Sequence, residues 1–258
     1  MSLELYHWEP NGHSARVLIC LKEKGLDFVS HYVDVLAFEQ HSSQFLKLSP
    51  RGQVPVLVHD GAVLTESSYI NEYLEESFPE PRLMPGDALG RWRVRAWLKF
   101  ADERLAPAVG LIGWHLGIGG SIRARIAGGT AELLDRIPSK ERRDVWAIAL
   151  DADATRARVA EARPKLEGVV AEIETALRPG AAWLAGSQYS LADIAVFPMI
   201  RALAELLPSQ FDAHTVPRIC EWLDRMQERP AVRASQTFAC SAQPYRVLVP
   251  GPEQIRWG

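Results

Sequence analysis

Two short segments carry groups able to hold a peptide-like ligand. In Pro50-Arg51-Gly52-Gln53-Val54-Pro55-Val56-Leu57, a proline opens an apolar run that reads as a strand, where a trans proline would remove a ladder donor. A cis Val54-Pro55 bond would leave the Val54 N–H and C=O at the sheet edge, ready to pair with an extended peptide. An edge strand beginning with a trans proline accommodates the same residues. In Thr65-Glu66-Ser67-Ser68, a strand passes into a helix, so backbone N–H groups and the Ser67 hydroxyl converge where a carboxylate is attracted. Ser67 acting only as an N-cap fits equally well.

The elements that must position these groups alternate over the first eighty residues. Leu3-Glu4-Leu5-Tyr6 reads as a strand, and a helix from about Ser14 ends at Gly25 with Val17, Cys20 and Leu21 on its apolar stripe. A strand near Phe28 to Val33 and a short helix near Ser42 to Leu48 follow. Asp60-Gly61 between the apolar runs Val54–Val58 and Ala62–Leu64 predicts a hairpin. A helix from Ser67 carries Ile70, Tyr73 and Leu74 on one face and closes at Phe78-Pro79.

Residues 79–90, rich in Pro and Gly, break the periodicity and predict a linker; everything beyond reads as helical. Val94, Trp97, Leu98, Ala101 and Leu105 keep helical spacing, and residues 155–178 form a long helix. The expected organisation is therefore 1–80, a linker 81–90, an all-helical unit 91–241 and an irregular tail 242–258. Within the helical unit, Ser190 and Asp193 have the spacing of a capping box.

With 258 residues, 47% hydrophobic and 24% charged, the chain can bury a sizeable core. A net charge of -3 offers no global basic field for nucleic acid, and Arg142-Arg143 reads as a solvated face. Residues 1–20 lack signal-peptide features and no run of about 18 apolar residues occurs, so a cytoplasmic protein without membrane contact is expected. Cys20, Cys220 and Cys240 form neither a CxxC pair nor a zinc pattern; all three read as buried small hydrophobes, with no metal expected.

Taken together, Gln53-Val54-Pro55 followed by Glu66-Ser67 resembles the glutathione site of the cytosolic glutathione S-transferase family. Gly186-Ser187-Gln188-Tyr189-Ser190-Leu191-Ala192-Asp193 and Arg229-Pro230-Ala231-Val232 extend the resemblance into the C-terminal part. It implies an α/β thioredoxin-like N-terminal domain, an all-α C-terminal domain and a homodimer meeting near Val94 to Leu105. Glutathione becomes the cosubstrate, with Val54 and Pro55 at its cysteinyl backbone and Glu66 and Ser67 at its γ-glutamyl end, Gln53 beside them.

Four segments are similar to the bacterial β-etherase branch of that family, whose enzymes cleave β-aryl ethers of lignin fragments. They are Phe38-Glu39-Gln40-His41-Ser42, Pro50 to Pro55, Ile112-Gly113-Trp114 with Gly117-Ile118, and Tyr189 to Asp193. By that resemblance Gln40 and His41 approach the glycine carboxylate of glutathione; without it, His41 is an exposed loop histidine. The chain departs from the branch in Asn11-Gly12-His13-Ser14-Ala15-Arg16, where His13 stands at a position expected to hold Cys or Asn.

Ser14 follows as a hydroxyl near a helix N-terminus, able to donate to sulfur while the helix dipole favours thiolate, or simply to cap the helix. A free thiol has a pKa of about 8.5, and lowering it by about two units takes roughly 2.7 kcal/mol of thiolate stabilisation. The expected reaction is thiolate attack on an aromatic or hydrophobic electrophile. Ser14, His13 and Asn11 are the candidates at sulfur, and Trp8, Trp114 and His115 line the second-substrate side. Ether cleavage, a broader transferase or peroxidase activity, and noncatalytic ligand binding are all compatible with these residues.

Overall fold

The computed structural model describes residues 2–119, 123 and 130–236. The first unit contains β1 (Leu3–His7), α1 (Gly12–Glu23), β2 (Val29–Tyr32), β3 (Val56–His59), β4 (Ala62–Thr65) and α2 (Ser67–Ser77). The sheet order is β2-β1-β3-β4, with β1 parallel to β2 and antiparallel to β3, and β4 antiparallel to β3. A parallel pair needs a crossover, and α1 supplies it, giving the thioredoxin-like arrangement. Asp60 and Gly61 both take positive φ, 48° and 86°, as a two-residue hairpin between right-twisted strands requires.

Helix α1 is buried on almost every side, with Val17, Leu18, Ile19, Cys20 and Leu21 each at 1% exposure or less. Such burial places α1 between two layers, the sheet and the helical unit, where it packs on the helices Leu191–Leu206 and Pro230–Gln236. Gly25 in the left-handed region, φ 63°, follows its C-cap.

The helical unit runs through α3 (Ala88–Phe100), a π-helical turn Ala101–Leu105, α4 (Ala106–Gly113), a second π turn Trp114–Ile118, α5 (Thr130–Asp135), α6 (Lys140–Leu150), α7 (Ala152–Ala176), α8 (Leu191–Leu206), α9 (Pro217–Glu228) and α10 (Pro230–Gln236). Helix α8 is the hub of its core, and the Ser190–Asp193 capping box is formed. Asp193 also accepts bonds from the Leu184 N–H at 3.0 Å and the Trp222 indole at 2.9 Å. No helix among the described residues is long and apolar enough to cross a membrane.

Several local expectations change. The short helix expected over Ser42 to Leu48 is a single 3-10 turn, Phe45–Lys47, preceded in the chain by two others at Val35–Ala37 and Glu39–His41. Ser42, extended at φ -68° and ψ 148°, separates this turn from the one before it, and its Oγ accepts from the Phe45 N–H at 3.2 Å. Helix α3 begins at Ala88, inside the segment read as linker, because Asp87 caps it through the Gly90 N–H at 2.8 Å.

Arg142 is 9% exposed rather than solvated, since α6 packs it toward the sheet unit, while Arg143 donates to the Ile137 carbonyl at 2.7 Å. Cys20 is buried and Cys220 only partly so. Cys240 and the expected tail 242–258 lie outside the described residues.

Candidate active site

An open groove of ≈ 1100 Å³ runs between the loop before β3, the start of α2 and the face of α3 with its π turn. Among its lining residues are His13, Gln53, Val54, Pro55, Glu66 and Ser67, so one cavity collects six of the sequence candidates. The Val54-Pro55 bond is cis. Gly52 has φ 63°, and a Cβ there would stand 2.5 Å from His41 Nδ1 and 2.7 Å from the Gln40 carbonyl oxygen. Only glycine fits this position, and it seats the Pro50–Pro55 loop directly on the Gln40-His41 turn.

Gln40 and His41 themselves are buried at 0% and 3% exposure and stand behind the groove rather than on its lining. Gln40 donates to the Val35 carbonyl at 3.3 Å. Burial, followed by the Arg142 and Arg136 charges, pushes the His41 pKa down to about 4. His41 is therefore a neutral imidazole at neutral pH, not the exposed loop residue that its local sequence suggests.

At the start of α2, Glu66 is the N-cap with φ 68°, a left-handed conformation costing a non-glycine residue on the order of 1 kcal/mol. Such outliers persist where surrounding structure holds them, and this one faces the groove. Ser67 is thus the first residue of the helix rather than its cap. Its Oγ accepts from Arg16 Nη1 at 3.3 Å and lies 3.0 Å from His13 Nδ1.

The three candidates at sulfur separate in space. Asn11 is the N-cap of α1, 3% exposed and without a side-chain capping bond. Ser14 lies within the first turn at 4% exposure, and its Oγ accepts the Trp8 N–H at 3.2 Å, leaving the hydroxyl proton available for donation. His13 alone of the three lines the groove, where it meets Ser67.

Arg16 and Asp102 carried no signal in the sequence, since an arginine inside a helix and an aspartate after Phe100-Ala101 are ordinary residues. Arg16 is fully buried and forms an ion pair with Asp102, whose other oxygen accepts from Ser68 Oγ at 2.7 Å. Burial opposes ionisation of Asp102, but the Arg16 and His13 charges and the Arg16 and Ser68 hydrogen bonds outweigh it and hold its pKa below the usual value. Asp102 belongs to the π turn after α3, a local irregularity frequent at functional sites.

The aromatic side expected for the second substrate is not assembled in this groove. Trp114 has no exposure; its indole donates to the Ala149 carbonyl at 2.6 Å and meets Trp146 edge-on at 5.1 Å. It is core between α4, α6 and α7, because the helical stripe that carries it faces inward. Trp8 is 3% exposed, and His115 is half-buried in the second π turn.

Fold and groove together define a glutathione S-transferase. The family model described as the glutathione S-transferase N-terminal domain matches residues 1–76, and that of the C-terminal domain matches residues 139–230; the chain belongs to this family. Protein LigF of Sphingobium sp. (strain NBRC 103272 / SYK-6) is 38% identical over 241 residues, 90% of this chain and 92% of LigF.

The crystal structure of beta-etherase LigF from Sphingobium sp. strain SYK-6 matches with TM-score 0.84 at 36% identity, covering 91% of this chain and 98% of that one. Glutathione transferase F7 from Populus trichocarpa matches at 0.67 and 27% identity, over 92% and 100% of the two chains. A Burkholderia graminis glutathione transferase, solved with two glutathione molecules bound per subunit, matches at 0.68 and 25% identity over 92% and 88%.

Proposed function

We propose that this glutathione S-transferase activates the glutathione thiol and uses it to cleave a β-aryl ether. The observation that carries the reading is the convergence in one groove of Val54, Glu66 and Ser67, in a chain 38% identical to LigF over 90% of its length. Glutathione lies with its cysteinyl backbone along Val54 and its γ-glutamyl carboxylate at Ser67 and the α2 N-terminus, where helix amides favour an anion. Asp102 and Glu66 supply the negative charge that faces the γ-glutamyl ammonium.

Ser14 and the N-terminus of α1 stabilise the thiolate, with Asn11 beside them. Sulfur attacks the carbon bearing the aryl ether oxygen; a C–S bond forms as the C–O bond breaks, and the electron pair leaves with the phenolate, which then takes a proton from solvent. The electrophile is aromatic and approaches from the α1 side of the groove. The exposed Tyr69, Leu89 and Trp92, at 71%, 56% and 65%, support pairing of two copies across α2 and α3, which sedimentation of the purified protein measures directly.

Incubation with glutathione and a β-aryl ether ketone, followed by mass spectrometry, tests the reading. Phenol and glutathione adduct should appear in equal amounts. Turnover of halogenated aromatics or hydroperoxides with the ether intact would instead mark a broader transferase, and glutathione binding with no turnover of any electrophile a noncatalytic binder.

A further inference from the structure

His13 follows the α1 N-cap, where a group facing sulfur was expected, yet its ring meets α2. Its Nδ1 lies 3.0 Å from Ser67 Oγ, and Ser67 is 5% exposed. The same oxygen accepts from Arg16 Nη1 at 3.3 Å. A hydroxyl has one proton and two lone pairs. With Arg16 on one lone pair, the Ser67 proton can go to His13 Nδ1 or to a ligand oxygen, but not to both.

We infer that His13 is a positioning residue for the γ-glutamyl carboxylate, coupling carboxylate capture at Ser67 to protonation of its own imidazole. Once the carboxylate takes the Ser67 proton, Nδ1 can keep its contact with Ser67 Oγ only as an N–H donor. Local charge selects imidazolium over a mere tautomer change. Among the groups near His13 are Ser67, which its ring meets, Asp102 on the π turn, whose ionisation its charge favours, and Glu66 and Ser68 on the same groove, with Arg16 reaching the shared Ser67 oxygen from its own helix.

Arg16 is already paired with Asp102, and Arg51 stands 3.4 Å from Glu66. In the proposed pose the ligand's carboxylate lies on the Ser67 hydroxyl that His13 meets while its ammonium faces Glu66 and Asp102, so the ligand charge nearest the imidazole is the anion. The field between His13 and Asp102 acts in the same direction, since the imidazolium charge favours ionised Asp102. This device sits at the amino-acid pole of the ligand. It does not place His13 at the leaving group.

The inference rests on the glutathione pose proposed above, and its test separates the two. The intact protein is titrated calorimetrically with a thiol-free glutathione analogue, 2-aminobutyrate replacing cysteine, so that no thiol proton enters the balance. Two buffers of different ionisation heat report protons taken up. Binding should take up protons and weaken about three- to tenfold from about pH 6 to about pH 8.

His13→Gln should remove both the uptake and the pH dependence, with binding at about pH 6 lowered by a similar factor and the melting temperature little changed. Ser67→Ala, which removes the coupling hydroxyl, should also remove the uptake. Binding without proton uptake, or with the same uptake in His13→Gln, overturns the role of His13 and leaves the pose standing. Failure of both the analogue and glutathione to bind the unaltered protein overturns the pose and this inference with it.

Discussion

Arg16 of α1 and Asp102 of the π turn after α3 form an ion pair through the same guanidinium that donates to Ser67. A single buried cation thus ties the sheet unit, the helical unit and the N-terminus of α2 together. Asp102→Asn keeps the shape but removes the counter-charge from Arg16. Removing one partner of a buried pair costs roughly 3–5 kcal/mol, and the partial exposure of Asp102 lowers the expectation to about 2 kcal/mol. Urea unfolding should show this loss together with weaker glutathione binding; unchanged stability would mean the pair does not bind the units together.

Ser14→Ala tests thiol activation. The variant removes the acceptor of the Trp8 N–H and the donor proposed for sulfur. The pKa of bound glutathione, followed by thiolate absorbance, should rise by about one unit, and turnover at neutral pH should fall by roughly tenfold. An unchanged titration would take Ser14 out of the mechanism and leave Asn11 and the helix terminus as the stabilising groups.

The capping box at the head of α8 should matter for stability and not for chemistry. Ser190 caps this helix, whose residues from Leu191 to Ile200 are all buried. Ser190→Ala should cost about 1 kcal/mol in denaturant unfolding. Turnover per folded molecule should be unaltered, and a selective loss of kcat would contradict a purely structural role.

His41 should shape the acid limb of stability. Its pKa is about 4 in the folded chain against 6.5 for the free side chain, so between these values the unfolded state binds more protons. The stability contributed by neutral His41 is complete above about pH 6.5 and is lost as pH falls toward about 4, on the order of 3 kcal/mol in all. In His41→Asn the melting temperature should depend less on pH across this window. An identical slope would place the acid sensitivity elsewhere.

Much of this molecule is legible residue by residue where local chemistry is decisive. Asp60-Gly61 specified its hairpin because both central positions need positive φ, and the Ser190–Asp193 spacing specified a cap because both partners lie within one turn. The segment from Ser42 to Leu48 reads as a helix, yet it forms only the 3-10 turn Phe45–Lys47, because Ser42 is extended and its side chain takes the Phe45 N–H. Trp114 likewise has the residue type of a ligand wall, and only the packing of α4 against α6 and α7 turns it into core.

The sequence alone determined the alternation of strands and helices over the first eighty residues, the Asp60-Gly61 hairpin and the Ser190–Asp193 cap, since turn chemistry and hydrophobic period act over a few neighbouring residues. Tertiary structure decided which distant groups share a charge environment. It brought Asp102 to Arg16 across 86 positions and His13 to Ser67 across 54, and it buried His41 against Arg142 and Arg136. Electrostatic interaction depends on distance through space and on exclusion of water, and neither quantity is written in the spacing of residues along the chain.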